Sequence, residues 1–99
     1  METITKMNVQ NMQSGRGNDV PNQFIITGIS AGKTIEVFKS YQSIIAIKTY
    51  DVGTKTQIDI NKWDFSNTTG KYRNQFLGES KAETQKKIDS GEYVLANLN

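Results

Sequence analysis

Basic side chains and one tyrosine gather in the last third of the sequence. Basic groups beside an aromatic ring can neutralise phosphates and stack on bases, which is how single-stranded nucleic acids are held. The residues concerned are Lys71, Tyr72, Arg73, Lys81, Lys86 and Lys87. Their types and spacing predict a nucleic-acid-binding face.

The same basic residues have a second explanation, because acidic residues lie among them. Glu83 and Lys87 are four positions apart in the order that favours an ion pair on a helix. Glu79 and Asp89 offer further local partners. Local pairing is the preferred interpretation of the two, and binding of a phosphate backbone stays open beside it.

A separate basic residue, Arg16, lies between two glycines in the segment 11–22, which has the composition of a loop. A flexible arginine of this kind could approach a phosphate. An ordinary connection between strands is the preferred interpretation. No helix-start pattern follows, so the segment does not predict a nucleotide-binding loop.

Catalytic chemistry is narrowed by composition, since the chain contains neither cysteine nor histidine. Thiolate catalysis, disulfides, the usual zinc ligands and the commonest general base are thereby excluded. The carboxylates are spread along the chain without a paired motif. We therefore expect no enzyme activity, no metal site and no cofactor.

Two helices must position the basic residues. The segment 63–77 holds the only tryptophan and predicts a helix that Asp64 or Ser66 caps and Gly78 ends. Its apolar face is formed by Thr69, Tyr72, Phe76 and Leu77.

The second predicted helix runs from Lys81 to about Asp89. Ser80 and Glu83 match a capping box at its start, and Gly91 ends it. Its apolar face is thin, so we expect it at the surface. Both helices are therefore expected to present their lysines to solvent.

Strand patterns precede and follow the helices. Alternating or continuous apolar residues predict strands at 1–10, 23–29, 34–39, 41–50, 56–60 and 92–98, the first and last being the weakest. The 99 residues form one predicted domain, 1–99. It divides into an N-terminal strand and loop (1–22), antiparallel strands (23–60), two helices (63–90) and a final strand or tail (92–98).

The expected fold class is α+β: a small antiparallel sheet of four to five strands, with two short helices near the C-terminus packed on one face. Aromatic residues of the helical segment should meet apolar residues of the sheet in the core. The predicted core is Phe24, Ile26, Ile45, Ile47, Trp63, Phe65, Tyr72, Phe76 and Leu77.

Composition also bears on location and assembly. The longest apolar run, Ile44 to Ile47, is far shorter than a membrane span, and the start of the chain lacks a signal-peptide pattern. We expect a soluble, unexported protein with no membrane partner. Hydrophobic residues make up only 35% of the chain, so a homo-oligomer is a further expectation.

The residues 63–78, WDFSNTTGKYRNQFLG, together with 38–46 and 87–93, resemble a family of small uncharacterised proteins carried by phages and prophages of bacteria. The resemblance carries no activity. It implies an accessory protein in the bacterial host cytoplasm that binds a host or phage macromolecule. Inhibitors of bacterial defence systems, anti-CRISPR proteins included, have this size, and that step is analogy.

Three functions are therefore expected in turn. The first is a non-enzymatic protein that binds and inhibits a host defence component. The second is a small nucleic-acid-binding accessory protein that uses the basic helical face. The third is an oligomer that sequesters a nucleotide signal.

Overall fold

The computed structural model describes residues 4–51 and 53–99, with side chains from residue 6 onward. Two helices are present in these ranges, α1 (Asn67–Leu77) and α2 (Lys81–Ser90). The strands are β1 (Ile4–Gln13), β2 (Asp19–Ser30), β3 (Lys33–Ser40), β4 (Ser43–Thr49), β5 (Gln57–Asp59) and β6 (Val94–Ala96).

All six strands join one sheet in the order of the chain. The pairs from β1 to β5 are antiparallel, whereas β6 lies parallel to β5. A parallel neighbour requires a crossover connection, and α1 and α2 supply it. The predicted α+β class with two helices on one face is confirmed, with six strands in place of four or five because β1 and β6 both join the sheet.

The predicted loop at 11–22 is wrong, because β1 continues to Gln13 and β2 begins at Asp19. Only residues 14–18 turn between them, closed by a 2.8 Å hydrogen bond from the Ser14 N–H to the Asn18 carbonyl. Pro21 is tolerated because the β1–β2 register shifts beside it, between Asn11 and Gln13. In the strand predicted at 1–10, residues 1–3 lie outside the described part.

Both helices begin and end at the predicted residues. The Ser66 hydroxyl accepts a hydrogen bond from the Thr69 N–H at the start of α1, and Gly78 ends it in the left-handed region (φ 69°). The capping box between Ser80 and Glu83 opens α2. These caps satisfy backbone groups that a helix terminus otherwise leaves unbonded.

The apolar interior consists of two clusters on opposite faces of the sheet. The first core joins the sheet to the helices, and in it the rings of Phe38 and Phe76 stack with their centroids 5.8 Å apart. We call this side the covered face. The buried members of the first core are Met12, Phe38, Ile45, Ala46, Ile58, Tyr72, Phe76 and Tyr93.

The second core lies on the other side of the sheet, which we call the open face. Its buried residues are Ile35, Val37 and Ile47, and Ile26, Ile44 and Leu98 pack against them. Within the described ranges no residue of α1 or α2 belongs to this cluster. The sheet is therefore apolar on both sides, with helices over one of them.

The predicted core needs three corrections. Phe65 is 45% exposed, so it is not a core residue. Ile26 and Ile47 belong to the second core and do not meet the helices. The reason is strand alternation: Ile25, the neighbour of Ile26, packs against the first core, and successive side chains of a strand point to opposite faces.

Candidate functional site

Three of the sequence-predicted binding residues come together at the N-terminus of α1. Lys71, Arg73 and Lys81 line a cleft of about 550 Å³, which we call the α1 cleft. The segment before α1, the first turns of the helix and the start of α2 contribute its walls. The remaining lining residues are Asp64, Phe65, Ser66, Asn67, Gly70 and Asn74.

Arg73 forms the base of this cleft and is only 1% exposed, so the expectation that it projects from the helix surface is wrong. Its guanidinium donates to the Trp63 carbonyl (2.7 Å) and to Asp64 (3.1 Å), and lies 5.0 Å from the centre of the Trp63 ring. A further bond of 2.9 Å reaches the side-chain oxygen of Asn74. The Nε donor has no partner in the described part of the chain.

Asp64 joins the two ends of the cleft. Its carboxylate accepts from Arg73 with one oxygen and lies 2.5 Å from the Lys81 ammonium with the other. Burial raises the pKa of Asp64, but hydrogen bonds from Lys81 and Arg73 outweigh it and leave the pKa below its ordinary value. At neutral pH the carboxylate is therefore ionised and bridges two cations.

The mouth of the cleft is the first turn of α1, which contains no acidic residue. The Ser66 cap binds the Thr69 N–H, while the N–H groups of Asn67 and Thr68 form no hydrogen bond among the described residues. Free N–H groups and the helix dipole both favour an anion at such an end. The exposed Lys71 side chain adds a positive charge.

The other four predicted residues lie outside the α1 cleft. Tyr72 is 6% exposed and belongs to the first core, which removes it from any exposed binding face. Lys86 is exposed on α2, and Arg16 is exposed in the β1–β2 turn. The predicted continuous basic face is therefore divided, with Lys71 and Lys81 at one site and Lys86 and Arg16 elsewhere.

Lys87, the fourth of these residues, is held by Glu79 at 2.7 Å. The Glu79 side chain is 3% exposed, and it also accepts from Thr84 (2.6 Å) and Tyr93 (2.9 Å). The hydrogen bond to Glu79 raises the pKa of Lys87, and burial with the same bond raises that of Tyr93 to about 12. The expected local pairing is thus present, with Glu79 in place of Glu83 as the partner of Lys87.

The open face is a second candidate site, and the residue-by-residue sequence reading did not identify it. Exposed apolar side chains lie at both of its margins: Met7 (64%) and Val9 (51%) on β1, and Val94 (41%) on β6. Val9 pairs with Ile26 of the second core, which places it on the open face. The available signal was that neighbouring residues of β2, β3 and β4 are both apolar, so each strand has an apolar side on either face.

A groove of about 760 Å³ lies on the open face, with Ile35, Ile47 and Val94 among its lining residues. Lys33 and Lys55 also line the groove, and Lys33 pairs with Asp51 at 2.9 Å. Lys55 donates to the Gly91 carbonyl at 2.7 Å. The groove thus has an apolar floor and a basic rim.

Two absences concern the described residues only. In residues 4–51 and 53–99 no group of three or more acidic, histidine or cysteine side chains is arranged to hold a metal ion. Neither described helix has the length and apolar character to cross a bilayer.

Comparison with known proteins adds a family. No curated protein and no solved structure matches the chain. The sequence model of a family of unknown function, DUF8033, matches residues 7–92, which covers β1 from Met7 through both helices. The chain therefore belongs to this family of unknown function (DUF8033).

Proposed function

We propose that the chain is a non-enzymatic accessory protein of a phage or mobile element that binds a component of a bacterial defence system and inhibits it by covering a surface. It acts in the cytoplasm of the bacterial host. The resemblance carried by residues 63–78 supplies the biological setting. The open face supplies the surface.

The observation that carries the proposal is the uncovered second core. A small monomeric protein rarely leaves large apolar side chains exposed on both margins of one sheet face unless that face meets another molecule. Met7, Val9 and Val94 are such side chains. A partner laid across the sheet would bury them together with the groove between them.

The charges on the open face indicate the kind of partner. Lys39 lies 5.9 Å from the centre of the Phe24 ring, and neither Lys39 nor Lys55 forms an ion pair within the described residues. A protein with apolar side chains surrounded by carboxylates complements this surface. A second copy would bring like charges together, so we favour a different protein as the occupant.

A pull-down of the tagged chain from a bacterial host, with mass spectrometry, tests the proposal when two matched variants are included. Val9→Glu places a charge on the open face, whereas Asn8→Glu places the same charge on the other face of the same strand. We expect Val9→Glu to lose the captured protein and the inhibition, and Asn8→Glu to keep both. Equal capture by the two variants, with equal melting temperatures, would contradict the proposal.

A further inference from the structure

We infer that the α1 cleft is a second binding site, which holds one nucleotide unit of a single-stranded nucleic acid. A phosphate occupies the N-terminus of α1, and the attached base stacks on Phe65. This site is separate from the open face and does not depend on the function proposed above.

The charge of the cleft favours a phosphate. Three cationic side chains and one carboxylate line it, and the carboxylate of Asp64 is already shared by Arg73 and Lys81. Lys71 has no carboxylate partner in the described part of the chain, where its ammonium lies 5.4 Å from the Tyr72 ring. A net positive charge therefore remains for a ligand to neutralise.

Unused hydrogen-bond donors point to the same ligand. The N–H groups of Asn67 and Thr68 are unbonded among the described residues, and phosphate oxygens bind such groups at helix N-termini. Arg73 retains an unpartnered Nε donor although the residue is 1% exposed. Buried donors without partners are rare, and a bound ligand or water commonly completes them.

Phe65 selects a nucleotide over a simple anion. The ring is 45% exposed on the cleft wall, and the Lys62 ammonium lies 5.3 Å from its centre. Exposed aromatic rings beside basic groups bind bases of single strands by stacking, which a paired duplex does not permit. The cleft volume of about 550 Å³ is within the range of small-molecule sites.

Gly70 offers a means of filling the cleft without a clash. A Cβ atom built there would lie 3.6 Å from the Asp64 carboxylate and 3.7 Å from the Arg73 guanidinium, which is ordinary van der Waals contact. Gly70→Ala should therefore preserve the fold while occupying space at the base of the site.

Fluorescence anisotropy with short labelled oligothymidylate and oligouridylate at low ionic strength tests the inference, with a duplex of equal length for comparison. We expect both single strands to bind better than the duplex. Phe65→Ala should weaken binding by about 5- to 150-fold, the effect of losing one stacked base. Lys71→Gln should lower the slope of affinity against salt by about 0.7, the value for one phosphate contact on a single strand.

The matched control is Lys86→Gln, which removes an exposed lysine outside the cleft. It should bind as the parent protein does, and Gly70→Ala should bind more weakly with an undiminished melting temperature. Absence of binding, equal effects of Lys71→Gln and Lys86→Gln, or equal affinity for the duplex would overturn the inference. Val9→Glu should leave oligonucleotide binding intact, so failure at one site is distinguishable from failure at the other.

Discussion

The two faces of the sheet are made by alternate residues of the same strands, yet they are completed differently. On β3, Phe38 points to the covered face and stacks on Phe76 of α1, while Val37 points to the open face and packs among aliphatic side chains. The first core includes aromatic rings and helix residues. The second has neither among its buried members, and its margins remain exposed. The difference indicates that the covered face holds the fold together and that the open face is available to a partner.

Polar contacts follow the same division. Arg73 with Asp64 and Glu79 with Lys87 and Tyr93 lie in the helical half of the chain and fix the elements over the covered face. The residues in them are basic and acidic, which is why the sequence suggests binding chemistry there. Most of those charges serve the structure.

The largest effect should come from the first core. Phe76→Ala removes a ring that is 6% exposed and stacked on Phe38, and it should lower the free energy of unfolding by about 3–5 kcal/mol. Val9→Ala on the open face should change it by no more than about 0.5 kcal/mol. Urea denaturation of both variants measures the contrast. Similar losses for the two would remove the distinction between the faces.

Arg73→Met should cost somewhat less, about 2–3 kcal/mol, because it leaves the Trp63 carbonyl without its donor and Asp64 with Lys81 alone. Lys71→Met changes an exposed lysine on the same helix and should be nearly neutral. Thermal denaturation of the pair at neutral pH is the measurement. A loss from Lys71→Met as large as that from Arg73→Met would show that burial does not separate their roles.

Glu79→Gln should cost about 2 kcal/mol at neutral pH, since the carboxylate accepts three hydrogen bonds. Burial raises the pKa of Glu79, but bonds from Lys87, Thr84 and Tyr93 outweigh it, so the folded pKa is below the ordinary 4.5. This stability is fully present above pH 4.5 and is lost as the pH falls through the folded pKa.

Acid titration of the melting temperature tests the Glu79 prediction. The parent protein should lose more stability than Glu79→Gln as the pH falls below 4.5. Asp89→Asn, at an exposed residue of α2, serves as the control and should follow the parent protein. Parallel curves for the parent and Glu79→Gln would mean that this carboxylate does not hold α2.

The smallest expected effect has the opposite sign. Gly70→Ala should raise the free energy of unfolding by about 0.5–1 kcal/mol, because glycine in a helix interior is less favourable than alanine and the added methyl group has room. Differential scanning calorimetry would measure it. A lowered melting temperature would show that the base of the α1 cleft is already full.

Local features of this fold could be predicted from the sequence. The Ser66 cap, the Ser80–Glu83 capping box and the glycines that end both helices depend on residues a few positions apart. The pairing of strands in chain order followed from short connections between them. These features need no knowledge of distant contacts.

Features that depend on distant contacts could not be predicted. Ile25 and Ile26 are equally apolar, so composition does not tell which of them meets the helices. Arg73 is buried because Trp63 and Asp64 return beside it through the turn before α1, a contact that helix periodicity does not reveal. The parallel pairing of β6 likewise requires the path of both helices.

Oxidation of methionine tests the central claim, that the open face receives the partner, most directly. Met7 is 64% exposed on β1, whereas Met12 on the same strand is 2% exposed and belongs to the first core. Mass spectrometry after brief peroxide treatment should therefore find the sulfoxide at Met7 and little at Met12 in the free protein. In the complex with the captured host protein, our account predicts that Met7 becomes protected and Met12 is unchanged. Oxidation of Met7 at the same rate in the complex as in the free protein would contradict it.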